Sequence, residues 1–214
     1  MSLLRRRGMY ANGELPAGYK RCKYLRGTGT RQLYEGAYID TGILSTSNTK
    51  VEIVVKKGVL RYWDRFYGIH NTDATPPQKG VWIMRTEGND QHQCWANGKK
   101  LGTISLGYDV HTVTFDGGSV YVDGDLKVIY NGADFATTDS AWLFAVNGGD
   151  IRCDDYIYSC KIWHLGELVR NFVPCVDGSH VPCMYDTVSK KPFYNDGTGE
   201  FRYELMDGTY VEPV

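Results

Sequence analysis

The run Asp109-Val-His-Thr-Val-Thr-Phe-Asp-Gly-Gly-Ser-Val-Tyr-Val-Asp-Gly-Asp-Leu-Lys-Val-Ile-Tyr130 decides how this chain folds. It divides into three short stretches, residues 109–115, 118–122 and 126–130, separated by Asp116-Gly117 and by Asp123-Gly124-Asp125. Asp-Gly accepts the positive φ angles that a tight hairpin turn demands, so the run predicts a three-stranded antiparallel meander.

The same alternation of strand and turn extends in both directions. Downstream, His164-Leu-Gly-Glu167 predicts a hairpin tip between strands over 156–163 and 168–173, and Ala141-Trp-Leu-Phe-Ala-Val-Asn147 predicts another strand. Upstream, strands are expected over 19–26, 37–43, 66–70 and 80–85. Residues 49–55 alternate apolar and polar with period two before a buried end. Pro76 and Pro77 in the 71–79 loop forbid regular ladder pairing there. Strands recurring every eight to twelve residues, with no βαβ alternation, predict an antiparallel sandwich or jelly roll. The 16 Tyr and 25 Gly point the same way. At 214 residues the chain suits one large all-β domain, which buries roughly 70% of its extended surface without help from metals or disulfides. No internal repeat or Pro/Gly/Ser-rich linker divides it. The expected organisation is a basic arm over 1–14 and a sandwich over 15–214.

Composition removes several function classes. The net charge of -1 gives no global field for nucleic acid. No window approaches the roughly 18 apolar residues of a membrane span, and the first residues lack the apolar run of a cleaved export signal. Synthesis in the cytoplasm, with exit inside a larger particle, is the expectation. The six cysteines, at 22, 94, 153, 160, 175 and 183, show neither C-x2-C spacing nor histidines at zinc-ligand intervals. They are expected mostly as small buried apolar residues.

With the strands placed, the sequence resembles the concanavalin A-like jelly rolls of the laminin-G-like type. More narrowly, it is similar to a group found in bacteriophage and prophage structural proteins of gut bacteria. The residues that carry this are the 15–30 stretch opening Leu15-Pro-Ala-Gly-Tyr19, Ala37-Tyr-Ile-Asp-Thr-Gly-Ile43, Tyr67-Gly68, Val120-Tyr-Val-Asp-Gly124 and Trp142-Leu-Phe-Ala-Val-Asn147. The strongest run is Lys161-Ile-Trp163 with Leu168-Val-Arg-Asn-Phe-Val-Pro-Cys175, followed by Met184-Tyr-Asp186 and Phe193-Tyr-Asn-Asp-Gly-Thr-Gly-Glu-Phe201. The likeness covers residues 15 to 201, with the extra segment 31–36 as a departure. It implies an all-β, antiparallel two-sheet jelly-roll sandwich of the lectin/glucanase type. It also implies a virion protein (fibre, tail or capsid decoration) in a group that binds or assembles far more often than it catalyses.

Catalytic constellations are missing from the pattern. Jelly-roll glucanases set carboxylates at alternate positions of one strand, E-x-D-x-E, so that all point into the groove. Here Glu52 stands alone on its strand, and Asp123-Gly-Asp125 belongs to a turn. The five histidines (70, 92, 111, 164, 180) are scattered outside any nucleophile signature. Gly27-Thr-Gly-Thr30 and Gly197-Thr-Gly199 neither open a helix nor precede Lys-Ser/Thr, so they read as turns rather than phosphate loops. Calcium has weak candidate ligands in Asp73, Asp150 and Asp154, hard-oxygen groups in loops that are equally turn formers; no cofactor is otherwise expected.

Binding has better candidates. Glycan recognition needs aromatic faces flanked by polar groups, and the segments 61–67 and 91–97 have that composition. Trp63, Asp64, Tyr67, Trp95 and Asn97 are the candidate glycan contacts, although most of the tryptophans are expected inside the sandwich. In the arm, Leu3, Leu4, Arg5, Arg6 and Arg7 are candidates for docking onto other virion proteins, arginines on carboxylates and leucines in a groove. Weak single-site affinity for host-surface polysaccharide favours a homo-oligomer. The alternatives are an assembly protein without ligand and a polysaccharide-degrading glycoside hydrolase of the same fold.

Overall fold

A computed structural model describes residues 15–28, 36–58, 65–70, 80–85, 91–148 and 153–211, with residues 82–85 described by backbone alone. The strands run in chain order as β1 (Lys20–Gly27), β2 (Ile39–Thr46), β3 (Thr49–Lys56), β4 (Tyr67–Gly68), β5 (Val81–Arg85) and β6 (Gln91–Ala96). They continue with β7 (Lys99–Ser105), β8 (Val110–Asp116), β9 (Ser119–Val122), β10 (Asp125–Val128) and β11 (Ala136–Leu143). The last third contributes β12 (Tyr156–His164), β13 (Glu167–Val176), β14 (Pro182–Asp186), β15 (Lys191–Phe193), β16 (Phe201–Leu205) and β17 (Tyr210–Val211).

The protein is all-β, and its strands form two antiparallel sheets in a sandwich-like arrangement. The larger sheet has the order β10-β9-β8-β3-β12-β1-β13-β14-β15, with β16 on β1 and β17 on β16; the smaller has the order β2-β11-β4-β5-β6-β7. Period-two patterning aims one face of each sheet inward. On β3, Val51, Ile53 and Val55 are buried while Lys50, Glu52 and Lys56 point outward. These valines and isoleucine share one core with Val113 and Phe115 of β8, Ile157 and Ile162 of β12, and Ile39, Tyr67, Cys94 and Leu143 of the smaller sheet. The sheets also meet at their margins, β7 against β10 and β2 against β15.

The meander forms as its turn residues dictate. Asp123 and Gly124 take φ 53 and 89, and the first turn centres on Gly117 and Gly118 (φ 58 and 91), one residue later than Asp116-Gly117 suggests. Leu165 and Gly166 turn the β12–β13 hairpin with φ 51 and 83. The strand expected over 141–147 instead ends at Leu143. Phe144 adopts φ 64, its N–H donates to the Phe66 carbonyl at 2.9 Å, and its ring packs on Phe201 at 4.7 Å. Sequence reading did not assign β6 and β7 as a hairpin, although Asn97-Gly98 (φ 47 and 74) makes the same kind of turn.

The closing Gly-Thr-Gly is a latch. Asn195 Oδ1 accepts the Tyr38 and Gly197 N–H groups at 3.1 and 2.9 Å, and the Gly199 N–H donates to the Gly36 carbonyl at 3.0 Å. A Cβ on Gly199 would stand 2.6 Å from the Ala37 nitrogen, so only glycine lets the two segments meet. The expected arm over 1–14, including Leu3, Leu4, Arg5, Arg6 and Arg7, lies outside the described residues.

Candidate functional site

The register of the smaller sheet builds a row that crosses all six strands. Asp40 of β2 lies opposite Trp142 of β11, Trp142 opposite Gly68 of β4, and Gly68 opposite Trp82 of β5. Trp82 is in turn opposite Trp95 of β6, and Trp95 opposite Lys100 of β7. Directly opposed residues share a face, so one cross-strand row holds three tryptophan positions with a glycine among them. The neighbouring row, Leu143, Tyr67, Ile83, Cys94 and Gly102, carries the buried residues Leu143, Tyr67 and Cys94. Trp142 and Trp95 therefore belong to the sheet's outer face, with the Trp82 position in backbone register between them.

Two ends of the row are well defined. Trp142 is half-buried and stacks on Tyr38, ring centroids 3.9 Å apart and planes 15° apart. Its indole Nε1 is buried and makes no hydrogen bond among the described residues. Beside it, Asp40 Oδ1 accepts the Ser140 hydroxyl and the Gly42 N–H, and the Asp40 N–H donates to Asp196 Oδ2 at 3.2 Å. Burial, with help from Asp196 and Asp40, raises the Tyr38 phenol above its ordinary range, so it stays protonated and hydrogen-bonding at neutral pH. At the other end, Trp95 donates its Nε1–H to Gln93 Oε1 at 3.2 Å and packs on the buried Val146. Lys99 and Lys100 are exposed beyond it. At the usual strand spacing, Trp142 and Trp95 are about 14 Å apart across the sheet. The face thus runs from an acidic end, over aromatic rings and amides, to a basic end.

The sequence-based candidates separate on this framework. Trp95 joins the row, and Asn97 follows it at the tip of the β6–β7 hairpin, where its positive φ is a turn requirement. Tyr67 lies in the core at 0% exposure with its ring 5.5 Å from Phe115, so it offers no face to a sugar. Trp63 and Asp64 fall outside the described residues, as do Asp73 and Asp150. Asp154 is buried with its carboxylate 3.1 Å from the Arg26 guanidinium. Among the described residues no group of three or more His, Cys, Asp or Glu side chains is arranged to hold a metal ion.

Trp142 and Trp82 are the members that sequence reading missed. The expectation that tryptophans fill the interior is corrected for every one whose side chain is described. Trp95, Trp142 and Trp163 are all half-buried, while Phe66, Phe115, Phe144 and Phe172 fill the core. The signal was present at Trp142, which alternates with the buried Ala141 and Leu143. No helix among the described residues is long and apolar enough to cross a membrane. Comparison with known proteins returns no match, whether to family models, to curated proteins or to solved structures.

Proposed function

We propose that this chain is a non-catalytic, lectin-like sandwich of jelly-roll type that adheres to polysaccharide through the outer face of its smaller sheet. The observation that carries the reading is the row Trp142, Gly68, Trp82, Trp95. Aromatic rings present apolar faces to sugar C–H surfaces, and Tyr38, Gln93, Ser140 and Asp40 supply polar groups beside them. The virion setting, as a fibre, tail or decoration protein, rests on the resemblance of residues 15–201 to phage structural domains. In that setting Leu3, Leu4 and Arg5 to Arg7 dock the chain onto other virion proteins, and several copies together raise a weak single-site affinity.

The test is an array of bacterial capsule and lipopolysaccharide fragments probed with purified protein, Trp142→Ala and Trp95→Ala. Binding by the parent protein, weakened roughly tenfold or more in both variants, is the expected result. Silence at high protein concentration removes the lectin reading and leaves a structural one. New reducing ends released from the same fragments would make the chain a hydrolase instead. Removal of residues 2–14 is expected to abolish incorporation into particles while leaving the sandwich folded; normal incorporation would rule out the docking role.

A further inference from the structure

Cys175 on β13 and Cys183 on β14 stand directly opposite one another in the antiparallel register. Both are fully buried and free, and their Sγ atoms are 3.4 Å apart. Opposed residues of an antiparallel pair have Cα atoms about 4.5–5.5 Å apart, inside the range that a disulfide spans. The two thiols do not belong to the main core. They form a small separate cluster with Tyr185, covered by Leu15 and Tyr19. That cover is one short stretch ahead of β1, turned by a Tyr19 N–H to Pro16 carbonyl bond and resting its Tyr19 ring 5.3 Å from Tyr185. The nearby Cys22 packs instead into the main core.

We propose that Cys175 and Cys183 are an oxidisable pair that closes into a cross-strand disulfide clasp between β13 and β14 when a small disulfide such as oxidised glutathione reaches them. One protein thiolate attacks a glutathione sulfur, forming a mixed disulfide and expelling one glutathione thiolate. The second protein thiol loses its proton, attacks the protein sulfur of that mixed disulfide and expels the other glutathione. Two electrons pass to the oxidant, and the two thiol protons end on two glutathione molecules. The Sγ–Sγ hydrogen bond that Cys183 shares with Cys175, together with burial, holds the Cys183 thiol well above its ordinary range, so Cys183 stays a protonated thiol while the cover is closed. Once formed, the bond fastens β14 to β13 ahead of the closing strands β15 to β17.

The experiment incubates the folded full-length protein with oxidised glutathione, quenches with an alkylating agent and maps the peptides. The expected product has lost two hydrogen atoms, carries a single cross-link joining Cys175 to Cys183, and alkylates at its other four cysteines. Its Tm should rise by roughly 5 °C and return on reduction with a thiol. Tyr19→Ala thins the cover and should speed closure several-fold. Cys183→Ala should lose both the cross-linked peptide and the rise in Tm; should that variant not fold, the map of the parent protein decides alone. Six alkylatable thiols in both the parent and a folded Tyr19→Ala protein overturn the proposal. So does a cross-link through Cys22, or a glutathione adduct that persists on either thiol.

Discussion

Asp186 illustrates how much one side chain can hold. It is fully buried at the end of β14, where a carboxylate survives only if its lone pairs are used. Oδ1 accepts the Asn171 and Val188 N–H groups at 2.8 and 3.1 Å, Oδ2 accepts the Ser189 N–H at 3.1 Å, and the Arg170 Nε lies 3.7 Å away. Asp186→Ala strands three backbone donors, while Arg170 keeps its bonds to the Thr41 and Val169 carbonyls, and should cost about 3–5 kcal/mol by urea denaturation. Asp186→Asn retains an acceptor and should cost less; equal losses would contradict this account. Asp177 makes a milder case nearer the surface. The N–H groups of Val181 and Ser179 hold its carboxyl below the ordinary value, with the Tyr194 hydroxyl adding to the effect. A carboxylate lowered in the folded state contributes stability that is present above about pH 4 and fades as pH falls through the lowered value. Carboxyl NMR titration should place the Asp177 midpoint below the aspartate norm, and Asp177→Asn should remove that part of the acid sensitivity.

Among the elements, hairpins were the most legible part of the fold because their turns are written in local chemistry. Asp123-Gly124 and Leu165-Gly166 both turn with paired positive φ, and both were placed from sequence. Leu165 is nonetheless a poor residue for its position. It is 70% exposed at φ 51, a region where most L-residues pay roughly 1 kcal/mol, and its backbone N–H to the Asn48 carbonyl asks nothing of the side chain. Leu165→Asn should raise stability by about 1 kcal/mol in denaturant unfolding; an unchanged or lower midpoint would mean the leucine packs usefully. Asn97-Gly98 carries the same turn signal, but β6 ahead of it, Gln91-His-Gln-Cys-Trp-Ala96, has no β-branched residue to mark a strand, so the β6–β7 hairpin was not legible. The pairing of β1 was not legible at all. It joins β12 through Leu25 opposite Ile157, β13 through Arg21 opposite Cys175, and β16 through Gly27 opposite Phe201. Those partners are far along the chain, and no turn residue announces a contact of that range.

For the whole molecule, the candidate site shows where sequence reading stops. Alternation assigns Trp142 to the face opposite Leu143, but only the order β2-β11-β4-β5-β6-β7 brings Trp142 into line with Trp82 and Trp95. Phase matters as much as order. Tyr67 is one residue from Gly68 of the row, and that single step turns it into the core. The same geometry sets how the protein should unfold. Leu143 of the smaller sheet and Ile53 of the larger are both fully buried in one shared cluster, so the main core belongs to both sheets together. Leu143→Ala and Ile53→Ala should each cost about 2–5 kcal/mol. If the core is common property, far-UV and near-UV circular dichroism will trace one coincident transition that both substitutions shift together. Two separated steps, with Leu143→Ala moving only one of them, would show that the sheets melt independently and that the contact between them contributes little to holding the sandwich closed.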